Sequence, residues 1–147
     1  MDRILVDTNI VLDLLAKRTE FLTEAQELFT LSDKKELKLY ISSLIFANTY
    51  YILSQKMKLV NARKILRKFK ILVEVLPMDD KIIDLSLESD FKDFEDAIQY
   101  HTAIENDVNI IITRNLKDFK IAKIPVLTAK DYIEMRKQPV GNKSYNQ

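Results

Sequence analysis

Apolar and polar positions along the chain switch between two periods. Ile4-Leu5-Val6 is an apolar run with no polar alternation, and Ile110-Ile111-Ile112, between Asn109 and Thr113, is a second. Such runs suit strands buried on both faces. Residues 37–42 and 71–76 read as two further strands, the second ended by Pro77. Residues 124–127 read as a last one, and Pro125 marks it as an edge strand. Helical spacing fills the intervals. Residues 10–16 form a short, strongly apolar helix. Residues 20–35 place Phe21, Ala25, Leu28, Phe29 and Leu31 on one face. Ser43 is a candidate N-cap for a helix over 44–56, with Leu44, Ile45, Tyr51 and Ile52 as its apolar stripe. Residues 60–70 turn Ala62, Ile65, Leu66 and Phe69 inward. Asp79 or Asp80 caps a helix running through Leu87. A helix begins within 90–100, with Ala97, Ile98, Ala103 and Ile104 apolar, and Thr128 caps a final one through Met135. Strands alternating with helices predict a single α/β domain over residues 1–137, with a mostly parallel central sheet of about five strands and helices on both faces. The polar stretch 138–147, with Pro139 and Gly141, reads as a flexible tail.

Composition removes several chemistries. The chain has 147 residues, of which 47% are hydrophobic and 31% charged, enough for a sizeable core. No apolar stretch approaches the ~20 residues that span a bilayer, and the N-terminus shows no signal-peptide pattern. With no cysteine, disulfides and thiolate metal sites are excluded, and a cytoplasmic location is expected. His101 is the only histidine, so a His-rich zinc site and a serine-protease triad are poorly supported. Its mixed helical surroundings point to a structural role. Gly141 is the only glycine, which rules out a P-loop and a dinucleotide fingerprint. A bound metal would have mostly oxygen ligands, which points to Mg²⁺ or Mn²⁺.

A net charge of +1 conceals two opposed halves. Residues 37–73 contain eight basic residues and no acid. Residues 74–107 contain eleven acids against Lys81 and Lys92. Solvated helix faces account for such runs in many proteins. The alternative is a polyanion-binding surface beside an acidic metal pocket.

Individual positions sharpen that alternative. Asp7 ends the first buried strand, and at the carboxyl end of a central parallel strand it would stand at the ligand crevice of an α/β sheet. It could equally cap the helix that follows. Asn48 lies inside the apolar stripe of its helix, so its amide either satisfies a buried backbone group or reaches a polar pocket. Asp93 and Asp96 have the spacing of an N-cap and N3 pair. Capping does not explain four acids (Asp90, Asp93, Glu95 and Asp96) within seven residues, which repel one another unless a cation is present. Thr113, Asn115 and Asp118 follow the second apolar strand. Oxygen ligands of this kind suit metal-assisted phosphodiester hydrolysis, in which the metal activates water and offsets charge on the phosphorus.

Val6-Asp7-Thr8-Asn9, Asp93-Phe94-Glu95-Asp96-Ala97, Ile112-Thr113-Arg114-Asn115 with Asp118-Phe119, and Pro125-Val126-Leu127-Thr128 occur in an order and spacing that resembles the PIN-domain nucleases, the family that includes VapC-type toxins. The resemblance covers nearly the whole chain. It implies a Mg²⁺- or Mn²⁺-dependent ribonuclease, an antitoxin partner, RNA as substrate and a homodimer built on helices near 10–31 and 44–53. By match, Asp7 is the first acid and Asp96 the third, with Asp93 as a neighbour sharing its role and all three as metal ligands. The fourth place falls on Asn115, with Asp118 as a stand-in. The second place, normally a Glu, holds Asn48, which removes one negative charge from the site. Thr8, Asn9 and Thr113 would orient the carboxylates. The basic stretch fits an RNA backbone, with Arg63, Lys64, Arg67 and Lys68 as its contacts. Two other readings remain: a PIN-like domain that binds RNA or a protein without cutting, and a phosphatase or flap-type DNA nuclease of related architecture.

Overall fold

Ile4, Leu5 and Val6 are fully buried because β1 (Arg3–Val6) is the central strand of a parallel sheet. The computed structural model describes residues 1–138 of the chain. Nearly all of the expected tail, residues 139–147, lies outside them. β2 (Lys38–Ser42) and β3 (Glu74–Leu76) extend the sheet on one side of β1, and β4 (Ile110–Ile112) and β5 (Val126–Leu127) on the other. The order is β3-β2-β1-β4-β5 and every pairing is parallel. Strand order therefore reverses between β1 and β4, which opens a crevice at their carboxyl ends. β5 is at the edge, as Pro125 implied.

The pleat divides the core in two. Ile4, Val6, Leu39, Ile41, Ile110 and Ile112 face one side. There α1 (Thr8–Leu15), α2 (Leu22–Asp33), α3 (Ser43–Tyr51), α4 (Ala62–Phe69) and α7 (Ala129–Arg136) cover the sheet. Leu5, Tyr40 and Ile111 face the other side, under Ala103 of α6 (Phe94–Glu105) and Phe119. α5 (Asp80–Leu87) packs beside α6. Among the described residues no helix is long and apolar enough to cross a membrane.

Several local expectations need correction. The N-cap of α3 is Ser42, whose Oγ accepts from the Ile45 N–H at 3.1 Å, not Ser43. Ser43 is drawn away because its Oγ accepts from Met78 N–H at 3.1 Å. The expected helix over 44–56 is α-helical only to Tyr51, and Ile52–Lys56 widens into a π-turn. Tyr51 is exposed and does not belong to the buried stripe. The strand expected over 71–76 begins at Glu74, because Lys70–Leu72 continues α4 as a 3-10 turn. The Ser32 hydroxyl holds that turn by donating to the Leu72 carbonyl at 2.7 Å. The expected interface helices also spend most of their apolar groups internally: Ile10, Val11, Leu12, Ala25, Leu28 and Phe29 are buried within the chain itself.

Candidate functional site

Asp7 caps α1 and stands at the carboxyl end of β1, the two placements its sequence position allowed. It is the N-cap of α1, with Oδ1 accepting from Thr8 N–H at 2.7 Å. Its Oδ2 turns to the crevice and accepts from the Thr113 hydroxyl at 2.8 Å and the Asn9 amide at 3.5 Å. Asp7 is only 8% exposed. Burial pushes its carboxyl above the usual range, while the Thr113 hydroxyl and the Thr8 amide pull it back and the Asp118 charge adds a further push upward. Gln99, on α6, lies against Asp7 closely enough to favour its anion without settling into a hydrogen bond. The Gln99 amide has no partner of its own among the described residues.

α6 carries the next two acids to the same place. Asp93 is its N-cap, with Oδ1 accepting from Asp96 N–H at 3.1 Å, so one half of the expected capping pair is present. The helix N-terminus stabilises carboxylates in its first turn. Asp96 nevertheless has its carboxyl pushed up to about 7, first by burial and then by the charges of Asp93, Asp7, Asp118 and Glu95. Four other carboxylates therefore act on one half-buried group. A cleft of about 380 Å³ opens beside them, lined by Phe91, Asp93, Asp96, Lys117, Asp118 and Lys120.

The turn after β4 closes the site from the other side. Thr113 is completely buried. Its Oγ accepts from Asn9 Nδ2 at 3.3 Å and from Asn115 N–H at 3.0 Å. The Asn115 carbonyl accepts from Asp118 N–H at 3.0 Å. Asn115 thus shapes the turn with its backbone while its side chain stands exposed, and Asp118 is the turn residue whose charge reaches both Asp7 and Asp96. Asn48, on α3, donates from Nδ2 to Oε1 of Glu95 at 3.4 Å, so its amide does reach toward the polar site. His101 stacks edge-on against Tyr100, with centroids 5.2 Å apart, and burial lowers its pKa. The acid that acts on it is Glu105, at the opposite end of α6 from Asp93 and Asp96.

Two features went unrecognised in the sequence. Arg114 forms a two-pronged ion pair with buried Asp13 of α1, at 3.1 and 3.0 Å, and lies over the Phe21 ring at 3.9 Å. Its backbone N–H donates to Asn9 Oδ1 at 3.2 Å. This clamp fixes the turn after β4 against α1. An acid in the middle of an apolar helix was the available signal. Gln99 gave a weaker one, as a polar residue on the inward face of α6.

The donor chemistry here is oxygen only, which suits a hard divalent cation. Among the described residues no three carboxylates stand close enough together to hold a metal ion as placed. Mg²⁺ takes only one or two protein carboxylates and fills its other positions with water. Asp7 and Asp96 fit that requirement by type, burial and mutual repulsion, with Asp93 beside Asp96 at the exposed rim.

Fold and site together define a parallel α/β domain with a polycarboxylate site at its topological switch point. The chain belongs to the PIN domain family, whose model matches residues 3–117. It is 26% identical over 141 residues to Ribonuclease VapC1 of Aquifex aeolicus (strain VF5), covering 90% of this chain and 94% of that protein. Among solved structures it resembles a toxin–antitoxin complex from Klebsiella pneumoniae, with 26% identity, coverage of 86% and 97%, and a TM-score of 0.64. It also resembles VapBC2 from Rickettsia felis bound to a DNA fragment from its promoter, with 22% identity, coverage of 84% and 96%, and a TM-score of 0.65.

Proposed function

We propose that this chain is a Mg²⁺- or Mn²⁺-dependent endoribonuclease and the toxin of a toxin–antitoxin pair. The observation that carries the reading is the gathering of Asp7, Asp93, Asp118 and Glu95 around Asp96. Structural packing gains nothing from such repulsion, whereas a bound divalent cation relieves it. The similarity to a ribonuclease and to toxin–antitoxin complexes supports both the substrate class and an antitoxin partner.

When bound, a divalent cation supplies Lewis acidity and neutralises charge at the phosphate. The chain's own residues provide the frame. Thr8 and Thr113 hold the two oxygens of Asp7 in fixed directions. Asp93 and the start of α6 fix Asp96 opposite. Asn9 ties α1 to the turn after β4, so the wall of the crevice is rigid. Asp7 and Asp96, with Asp93 as the neighbour that shares the role of Asp96, would supply the one or two carboxylates that hold the cation at a time, and Asp118, whose charge reaches both Asp7 and Asp96, would supply the fourth charge in place of the neutral Asn115.

Arg63, Lys64, Arg67 and Lys68 would follow the RNA backbone. All four are exposed on α4. Arg63, Lys64 and Arg67 border an open groove of about 990 Å³ that Phe46 and Tyr50 of α3 also line. Asn48 lies on the same helix, so basic groove and acidic site share one support. A homodimer would have to use surface that is still free, such as exposed Tyr51, Met57 and Val60. Light scattering on the eluting protein tests it, and a monomer at high concentration counts against it.

The test of the main reading is cleavage of a labelled structured RNA with Mn²⁺, with Mg²⁺ and with EDTA, alongside Asp7→Asn. Metal-dependent cutting lost in the variant is expected. A second reading, RNA or protein binding without cutting, is favoured by the amides at Asn48 and Asn115. Parental cleavage abolished by EDTA and by Asp96→Asn would eliminate it.

A further inference from the structure

Asn48 stands where the family pattern expects a carboxylate, and its hydrogen-bond partner is a carboxylate. Its Nδ2 on α3 donates to Oε1 of Glu95 on α6, at 3.4 Å across 47 positions of sequence. Glu95 is the second residue of α6, where any acid gains from the helix dipole. That gain does not require the side chain to reach a neighbouring helix, and a solvated Glu would serve it equally. No ion pair among the described residues neutralises Glu95. Its sequence neighbours Asp93 and Asp96 are themselves acids of the site.

We propose that Glu95 supplies the carboxylate that the α3 position lacks, with Asn48 as the positioning residue that holds it over the acidic site toward a divalent cation. The inference rests on the metal-dependent reading above. The chemistry is consistent: one amide hydrogen occupies one lone-pair site of Glu95, and the remaining carboxylate sites stay open to a cation or its water. The charge removed from α3 is thereby returned from α6. The pair is the same in composition as a Glu on α3 facing an amide on α6, with the two members exchanged.

That exchange provides the experiment. Mn²⁺ binding to the full chain is measured by calorimetry for the parent, Asp7→Asn, Glu95→Gln and the double variant Asn48→Glu/Glu95→Gln, with circular dichroism to confirm folding. Glu95→Gln keeps the shape and removes the charge, and is expected to weaken Mn²⁺ binding about tenfold or more. The double variant returns the carboxylate from the other side of the pair and is expected to recover most of that loss. Parental affinity in Glu95→Gln, with binding lost in Asp7→Asn, would overturn the inference and leave the nuclease site intact. A folded double variant no tighter than Glu95→Gln would also overturn it. No difference between the parent and Asp7→Asn would instead bring down the metal-dependent reading, and this inference with it.

Discussion

The Thr113 hydroxyl donates to Asp7 Oδ2 at 2.8 Å, joining the ends of β1 and β4 across 106 positions of sequence. The same oxygen accepts from Asn9 and from the Asn115 backbone. One hydroxyl therefore orients the first acid and organises the turn that carries Asp118.

Thr113→Val keeps the β-branched shape and removes that donor. A hydrogen bond to a charged group contributes about 1.5–3 kcal/mol, so a loss of that order is expected in urea unfolding. The Thr113 bond favours ionised Asp7, so removing it raises the Asp7 pKa further. The acid limb of the cleavage–pH profile should move to higher pH. A lower rate with an unmoved limb would mean that Thr113 only supports the turn.

Asp96 makes stability depend on pH in the opposite sense from an ion-paired carboxylate. Its folded pKa of about 7 lies above the ordinary 3.8, so between these values the folded state holds the extra proton. Stability should therefore be fully present below the lower value and fall as pH rises through the window. Asp7, also raised, acts in the same direction. Asp96 is half-buried and solvent screens part of the repulsion, so the change is modest. Thermal unfolding of the metal-free protein should show Tm falling from about pH 5 to about pH 8, with a flatter line for Asp96→Asn. Added Mn²⁺ should raise Tm more at the upper end, because cation binding displaces the proton. A Tm that rises across this range would contradict the environment assigned to Asp96.

The Arg114–Asp13 clamp should be costly to break. The Asp13 side chain is 2% exposed, and removing one partner of a buried pair leaves the other charge without compensation. Arg18 remains only at 3.8 Å from Asp13, so it compensates little. Arg114→Ala is expected to lose about 3 kcal/mol in urea unfolding, and Asp13→Leu/Arg114→Met considerably less, since the double change leaves no orphan charge. Equal losses in the two variants would show that the Phe21 stacking of Arg114, not the ion pair, carries the stability.

What was legible in the sequence follows from how local each signal is. Ile4-Leu5-Val6 and Ile110-Ile111-Ile112 announce buried strands because full burial needs no partner identity. Asp93 and Thr128 announce helix starts because a cap is satisfied within three residues. Ser43 carries a hydroxyl that could cap α3, but the approach of Met78 occupies it and leaves Ser42 to cap, which no local signal encodes. The tie between Asn48 and Glu95 and the clamp between Arg114 and Asp13 were illegible for a stronger reason. Each depends on how two elements far apart in sequence meet, which no spacing within either element encodes.

The basic face of α4 makes the last prediction. Ala62, Leu66 and Phe69 anchor the helix in the core, and Arg63, Lys64, Arg67 and Lys68 point outward. None of these four forms an ion pair among the described residues, although acids are plentiful elsewhere in the chain. Four neighbouring cations without carboxylate partners repel one another, a cost that a bound phosphate backbone relieves. Each phosphate contact contributes ~0.7 to the salt slope for a single strand, so four contacts contribute about 3. Replacing all four by Glu in an Asp7→Asn background, which prevents cutting during the titration, should weaken RNA binding and make log Kd against log salt shallower by about that amount. The helix should remain folded, because none of the four side chains lies in the core. An unchanged slope would mean that the face only solvates α4, and that the RNA path runs instead past Lys117 and Lys120 beside the acidic cleft.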